Sequence, residues 1–429
     1  MRDHATIGVP AGPSRVEKKV RTGAVVGSHA VVDSMPAIVL AILAVLEARL
    51  EMTPGQTALI VAVGAACSGL VQPVAAWFAD RFAPRLIAVG GILLAAGAFG
   101  SVGQVTSFEQ LLVLQIVASL GVGAFHPPAA AAVGKLCGRR RALGVSFFFV
   151  AGMMGAVVGY RLGPLAVSRV GLENIHWLYV PVVLVAAGAA LALRGVSHHE
   201  GDGTKETRTP VPENAGERWR AVWLLYAGNV LRFTCDASLI YLLLRWSQMF
   251  TIERNGAAGF DAAMAAQAGD LNGWMLAARQ FGMAVGGLVL GVMVKRGLEK
   301  SVLISVPLAG AGAMALMAFS PELIEMLEDP RLLLPLAVGL VFATGFGYAG
   351  PVPVTVAVAQ RLLPHRTSMA SGLMLGGSWG FAFVGPLLCE GVIRVAGLQS
   401  AMLVVAVMLA ASAGVSALVS GRLLQETAK

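Results

Sequence analysis

The sequence predicts an all-α integral membrane protein in which twelve transmembrane helices form two six-helix pseudo-repeat bundles. Composition is the first reason. Hydrophobic residues make up 56% of the 429 positions and charged residues only 13%, whereas a soluble domain carries about 25% charged residues. The chain also has 52 glycines, and small residues allow helix backbones to approach each other closely in lipid.

Apolar runs of membrane-spanning length are the second reason. A hydrocarbon core of about 30 Å requires about 20 apolar residues per helix. The first six runs are 22–46, 55–78, 85–104, 108–133, 142–167 and 177–194. The second six are 221–245, 272–294, 301–320, 332–360, 368–393 and 398–420. Glycine-rich runs among them allow for breaks within a helix.

A long polar stretch near the middle of the chain predicts the division into two bundles. Residues 195–220 are too polar to bury a core and predict a flexible cytoplasmic linker. It separates an N-terminal bundle, 22–194, from a C-terminal bundle, 221–420. Residues 1–21 predict a cytoplasmic tail without the apolar segment of a signal peptide, and 421–429 a second cytoplasmic tail.

The same features recur in the same order in both halves, as expected for parallel six-helix repeats. They are a helix proline, a basic pair and a Gly-Pro step: Pro127, Arg140-Arg141 and Gly163-Pro164 in the first half, and Pro351, His365-Arg366 and Gly385-Pro386 in the second.

The basic residues predict orientation. Most of the 32 Lys and Arg residues fall on one side of the predicted helices, so the net charge of +8 reflects topology and no nucleic-acid partner is expected. This positive-inside bias predicts a multi-pass protein of the inner (plasma) membrane with both termini cytoplasmic. The four cysteines show no pairing or metal spacing. We therefore expect no metal and no cofactor, and by analogy a monomer.

Ionisable residues inside the predicted helices are the strongest functional signal. A charge at the bilayer centre costs several kcal/mol, about 3 on insertion scales, so it usually faces a cavity or a partner. His29 and Asp33 lie one turn apart in the first helix, and Arg232 and Asp236 have the same spacing in the seventh. The others are His126, Arg161 and Arg279.

These residues predict two kinds of site. Histidine titrates near neutral pH and aspartate can carry a proton, so the proton-coupling candidates are Asp33, His29 and Asp236. Arginine forks suit carboxylate or phosphonate groups, so the substrate-binding candidates are Arg232, Arg161 and Arg279, with His126 and Gln72. The alternative is structural: Arg232–Asp236 and His29–Asp33 as closed ion pairs, and His126 as a packing residue at a helix bend.

Two further motifs are candidates for gating. Asp80 and Arg81 stand at the end of the second predicted helix, where they can bridge to neighbouring helix ends. The fifth helix carries Gly159, Gly163 and Pro164, which permit close helix contact and a bend. The alternatives are a basic loop that follows the positive-inside rule and plain helix packing.

Short motifs are spread over nearly the whole membrane domain. They are Ser28-His29 with Asp33, Leu70-Val71-Gln72-Pro73-Val74, Phe125-His126-Pro127, Leu162-Gly163-Pro164-Leu165, Ala359-Gln360, Leu362-Leu363-Pro364, Arg366, Met369 and Ser371-Gly372-Leu373. Together they resemble the fosmidomycin resistance branch of the major facilitator superfamily.

That resemblance implies the major facilitator fold, alternating access and export of a drug-like compound driven by proton entry. The chain departs from the family pattern at three places. Ala75-Ala76 stands where the family tends to have a glycine, the fifth helix is longer and carries Arg161, and a long outer loop is expected over 247–271.

The hypothesis that follows is proton-coupled export of a small organic anion. Three intramembrane arginines against Asp33 and Asp236 would leave the cavity net positive, which favours an anionic substrate. The same residues also allow uptake by proton symport. Two other classes are a membrane-embedded enzyme, for which no loop carries a paired-carboxylate, Ser/His or metal-spaced constellation, and a transport-inactive sensor or scaffold with closed ion pairs.

Overall fold

The computed structural model describes residues 14–82, 84–196, 214–256, 259–327 and 330–427, and these are helical almost throughout, without a strand. Eleven helical stretches in this part of the chain are long and apolar enough to cross a membrane. One of them, Val384–Ala417, contains two helices joined at Gly397, whose φ is 82°. The chain therefore makes the twelve crossings predicted, arranged as two six-helix bundles.

The first six crossings are numbered in chain order. They are α1, Arg15–Ala41 extended by Leu43–Arg49; α2, Pro54–Arg81; α3, Pro84–Gly100; α4, Phe108–Cys137; α5, Arg141–Val170; and α6, the 3₁₀ segment Leu172–Leu178 followed by Val182–Ala192.

The second six crossings include two broken helices. They are α7, Ala215–Asn255; α8, Ala262–Met293; α9, Glu299–Ala318; α10, Leu333–Ala349 and Val352–Leu362; α11, Thr367–Gly372, the π-helical Leu373–Gly377 and 384–396; and α12, 398–417. Two short helices, Ser320–Leu327 and Gly421–Glu426, lie outside the crossings.

The long outer loop predicted over 247–271 is wrong. The α7 helix continues to Asn255, and Asp261 caps the start of α8 by accepting a hydrogen bond from the backbone N–H of Met264 at 2.8 Å. Hydropathy alone ended the helices early, because a helix can continue past the apolar core with polar residues on its surface.

The predicted boundaries of the tails and linker also change. The α1 helix begins at Arg15 and α7 at Ala215, inside the segments predicted as tail and linker. Residues 1–13, 197–213 and 428–429 lie outside the described residues. A polar helix end reads as a loop from hydropathy, because apolar content cannot distinguish a solvated helical turn from coil.

Close backbone contact holds α5 against α1. A Cβ atom added at any of three glycines of α5 would lie closer than 3.0 Å to a carbonyl oxygen of α1. The pairs are Gly155 with Ala30, Gly159 with Ser34, and Gly163 with Ile38. The glycine ladder predicted in the fifth helix is thus a helix-packing surface, which small residues make possible without a hydrophobic driving force.

The two halves also meet at one end of the molecule, here called the gate end. Glu47, at the end of α1, accepts hydrogen bonds from Arg245 Nη1 at 2.9 Å and from Gln248 Nε2 at 3.1 Å, both on α7. Asn272 of α8 donates to the carbonyl of Leu40 at 3.0 Å. These contacts close the gate end between the halves.

The glycine ladder leads to a stability prediction. We expect Gly155→Ala to lower the free energy of unfolding in detergent by about 1–3 kcal/mol, because the added methyl meets the Ala30 carbonyl. Gly188→Ala in α6 is the matched control, since a Cβ there has nothing within 4 Å. Thermal unfolding followed by intrinsic fluorescence measures both. Equal midpoints for the two variants would contradict the close-contact interpretation.

Candidate functional site

A cavity of about 340 Å³ lies between the two halves. Its polar lining comes from both bundles. The first half contributes His29, Asp33, Ser68, Gln72, Gln115, Ser119, His126 and Tyr160, and the second half contributes Asp236, Arg279, Gln280 and Trp379. Two clusters of ionisable groups therefore face one space.

The first cluster consists of His29 and Asp33 on α1 with His126 on α4. The Asp33 carboxylate lies 3.2 Å from each histidine Nε2, through Oδ2 to His29 and through Oδ1 to His126. The two Nε2 atoms are 3.1 Å apart. His29 is buried and stacked on Phe148, with ring centroids 3.8 Å apart. The sequence predicted the neighbours on α1, and the fold adds His126.

Backbone carbonyls fix the protonation pattern of both rings. His29 Nδ1 lies 2.6 Å from the carbonyl oxygen of Phe148, and His126 Nδ1 lies 2.7 Å from that of Val122. A carbonyl oxygen can only accept, so each Nδ1 carries the hydrogen. In neutral rings both Nε2 atoms then present lone pairs to each other and to the carboxylate. The cluster is therefore a set of converging acceptor atoms, an arrangement that can bind a cation such as a proton.

The second cluster is an ion pair between Asp236 of α7 and Arg279 of α8, whose side chains are each 2% exposed. Tyr348 of α10 donates to Asp236 at 2.5 Å. Arg279 Nη2 donates to Gln280 Oε1 and, across the two halves, to Tyr160 of α5, both at 3.0 Å. Hydrogen bonds from α5, α8 and α10 thus reach the pair, which lines the cavity.

Arg232 does not pair with Asp236, contrary to the i, i+4 spacing. Its side chain is completely buried outside the cavity lining, and Nη2 donates to Asn229 at 2.5 Å. Asn229 in turn donates to Thr355 and to the carbonyl of Met374. Asp236 instead pairs with Arg279 of the neighbouring helix, whose guanidinium also donates to two tyrosines and a glutamine.

Arg161 also lies outside the cavity lining. Its Nη2 donates to Asp270 at 2.8 Å near the gate end, and its guanidinium lies 4.0 Å from the centre of the Trp274 ring. The expectation of three arginines around the cavity is therefore wrong. Arg279 is the one Lys or Arg residue among the described residues that line it.

The remaining candidates are spread over the molecule. Gln72 lines the cavity and donates to the Ser68 carbonyl one turn before it. Arg81 lies 4.1 Å from the centre of the Trp77 ring, and the Asp80 side chain lies outside the described residues. Pro164 contacts α8 where Gly273 approaches it. Their gating roles stay predictions.

Sequence reasoning missed several polar residues at the contacts between helices. Tyr160 and Tyr348 flank the Asp236–Arg279 pair. At the gate end, Tyr241 donates to Glu390, and Arg394 Nε donates to the same carboxylate at 2.7 Å. Tyrosines inside apolar runs were an available signal, because a buried phenol usually finds a hydrogen-bond partner.

A twelve-helix bundle with a cavity between its halves, lined in part by ionisable side chains, is the architecture of a secondary transporter. The sequence agrees with this class. The model of the Major Facilitator Superfamily matches residues 26–269 and 255–424. The chain belongs to that family.

Three known proteins show the range of similarity. The fosmidomycin resistance protein of Escherichia coli K12 is 25% identical over 387 residues, which cover 87% of this chain and 88% of the relative. The 3-(3-hydroxy-phenyl)propionate transporter of the same organism is 25% identical over 52% of each chain. A bacterial homologue of the lysosomal transporter Spinster, solved inward-facing and unoccupied, superposes with a TM-score of 0.67 over 96% of this chain and 99% of its own, at 17% identity.

A double-mutant cycle tests the buried pair. We expect Arg279→Gln to destabilise the protein by about 3–5 kcal/mol, because it leaves Asp236 charged and unpaired. The double variant with Asp236→Asn should recover much of that loss. The half-exposed pair Arg161–Asp270, taken through the same cycle, should show a coupling of about 0–1 kcal/mol. Thermal unfolding measures both, and similar couplings for the two pairs would contradict this account.

Proposed function

We propose that this major facilitator transporter works by alternating access and exports a small organic anion in exchange for protons. One observation carries the proposal: a cluster of converging acceptor atoms in the first half and an arginine in the second half face the same cavity. One cavity can then bind both a proton and an anion. We propose a transporter and not an enzyme. Its other partners are the lipid bilayer and protons.

The proton would bind in the cluster of His29, Asp33 and His126. The converging lone pairs of these three side chains attract a proton. Asp236, in the ion pair with Arg279, offers a second carboxylate. Asp33 is 25% exposed and His126 20%, while His29 is 2% exposed, so the carboxylate is the most exposed member of the cluster. We therefore assign proton exchange first to Asp33.

The anion would bind at Arg279. Its Nε has no hydrogen-bond partner among the described residues, and a substrate carboxylate arriving there would replace Asp236 as the counter-charge. Arginine suits this role because its fork binds a carboxylate through two nitrogens. The name of one relative describes transport of a propionate, which is a carboxylate.

Export is favoured by similarity to a protein whose name describes drug resistance. Uptake by symport is the second candidate, because proton and anion sites in one cavity can also be filled together. We further propose that both termini are cytoplasmic and that the membrane is a bacterial inner membrane, from the distribution of Lys and Arg residues. The gate end, closed here, would then face outward.

Proteoliposomes decide the direction. For exchange, 3-(3-hydroxyphenyl)propionate should accumulate in vesicles that are acidic inside, and for symport in vesicles that are acidic outside. The same vesicles test Asp33. We expect Asp33→Asn to abolish gradient-driven accumulation while exchange of labelled for unlabelled substrate continues. The amide keeps the shape of the side chain but lacks the carboxylate that binds the proton.

Glu426→Gln is the control for that experiment, since Glu426 forms a surface ion pair with Arg422 in the short C-terminal helix. It should accumulate substrate like the unmodified protein. Gradient-driven accumulation by Asp33→Asn at the unmodified level would remove Asp33 from proton exchange.

Arg279→Lys tests the anion site. This change keeps the charge and removes the planar fork, so we expect binding of 3-(3-hydroxyphenyl)propionate to weaken by about 1–3 kcal/mol. The neutral amide of the same compound should lose much less. Arg161→Lys, which lies outside the cavity lining, is the matched control. Calorimetric titration of both ligands gives the affinities, and equal losses for acid and amide would contradict the anion site.

A further inference from the structure

The spacings between neighbouring ligand atoms in the first cluster match the edges of a metal coordination polyhedron. The two histidine Nε2 atoms are 3.1 Å apart, and each lies 3.2 Å from a different carboxylate oxygen of Asp33, Oδ2 for His29 and Oδ1 for His126. With metal–ligand bonds of about 2.0–2.1 Å, ligand atoms lie about 2.9 Å apart at a right angle and about 3.4 Å apart at a tetrahedral angle. The observed spacings fall between these values.

The hydrogen bonds behind the rings are those of metal-binding histidines. Each Nδ1–H donates to a backbone carbonyl, of Phe148 for His29 and of Val122 for His126. Such a contact fixes the tautomer and turns the Nε2 lone pair toward the ion. Stacking on Phe148 also holds the His29 ring in its orientation. The ligand set is therefore oriented before an ion arrives.

A glycine opposite the cluster leaves space beside the ligand atoms. A Cβ at Gly152 of α5 would lie closer than 3.0 Å to Asp33 Oδ2 and to His29 Nε2. Any other residue there would crowd the two ligands.

We propose that the side chains of His29, Asp33 and His126 bind a divalent transition-metal ion such as Zn²⁺. Two imidazoles and one carboxylate form a three-ligand set that leaves coordination positions open to the cavity. The sequence predicted no metal site because His126 lies far from His29 along the chain. This inference does not rest on the proposed transport reaction, since binding is measured without substrate or gradient.

The test is a titration of the full-length chain, purified in detergent with any affinity tag removed, with Co²⁺ as a spectroscopic substitute for Zn²⁺. We expect one equivalent to bind, with visible d–d absorption, and Zn²⁺ to displace it. Asp33→Asn and His126→Gln should each weaken binding at least about tenfold. Gly152→Ala retains all three ligands and should also weaken binding, because its methyl crowds them.

Two controls locate the ion. His176→Ala changes a half-buried histidine on the 3₁₀ segment of α6, and the double variant His198→Ala, His199→Ala changes residues outside the described part of the chain. Both should bind Co²⁺ like the unmodified protein. The proposal is overturned if the unmodified protein shows no saturable binding, if Asp33→Asn and His126→Gln bind normally, or if the double variant alone loses the ion.

Discussion

The centre of this protein depends on one constraint: a charge that is buried away from solvent must have a partner. Asp236 and Arg279 are each 2% exposed, and they are stabilised by each other and by hydrogen bonds from Tyr160, Tyr348 and Gln280. Tyr348 and Gln280 belong to the same half as the pair, whereas Tyr160 belongs to the other. The ion pair thus links the packing of α7, α8 and α10 to the position of α5. A change in the hydrogen-bond partners of this ion pair therefore alters contacts in both halves.

The two halves surround their cavity carboxylates, Asp236 and Asp33, with different groups. In the second half, Asp236 has a permanent cation, since the arginine guanidinium stays protonated. In the first half, the described lining residues include no Lys or Arg, and the carboxylate of Asp33 faces two imidazole nitrogens. This asymmetry between otherwise repeated bundles separates the proposed anion site at Arg279 from the proposed cation site at Asp33.

Contacts within a half and contacts between halves use different chemistry. Within the first half, Gly155, Gly159 and Gly163 place the α5 backbone against α1. The two helices form a rigid unit, because water cannot replace these backbone contacts. At the gate end, polar side chains such as Glu47 and Arg245 join the halves. The half-exposed pair of Arg161 and Asp270, near the same end, can be exchanged for water at small cost. Rigid bundles joined by exchangeable polar contacts suit rocking around a central site.

The sequence by itself determined the membrane class, the number of crossings, the two-bundle repeat and the proximity of His29 to Asp33. These follow from apolar length and from the i, i+4 spacing of one helix, which are local properties. Only the tertiary structure decided that Asp236 pairs with Arg279 and not with Arg232, and that His126 completes the first cluster. Such partners are set by the rotation and crossing of helices far apart in the chain. An apolar run fixes neither, because lipid-facing and cavity-facing sides of a membrane helix can be equally hydrophobic.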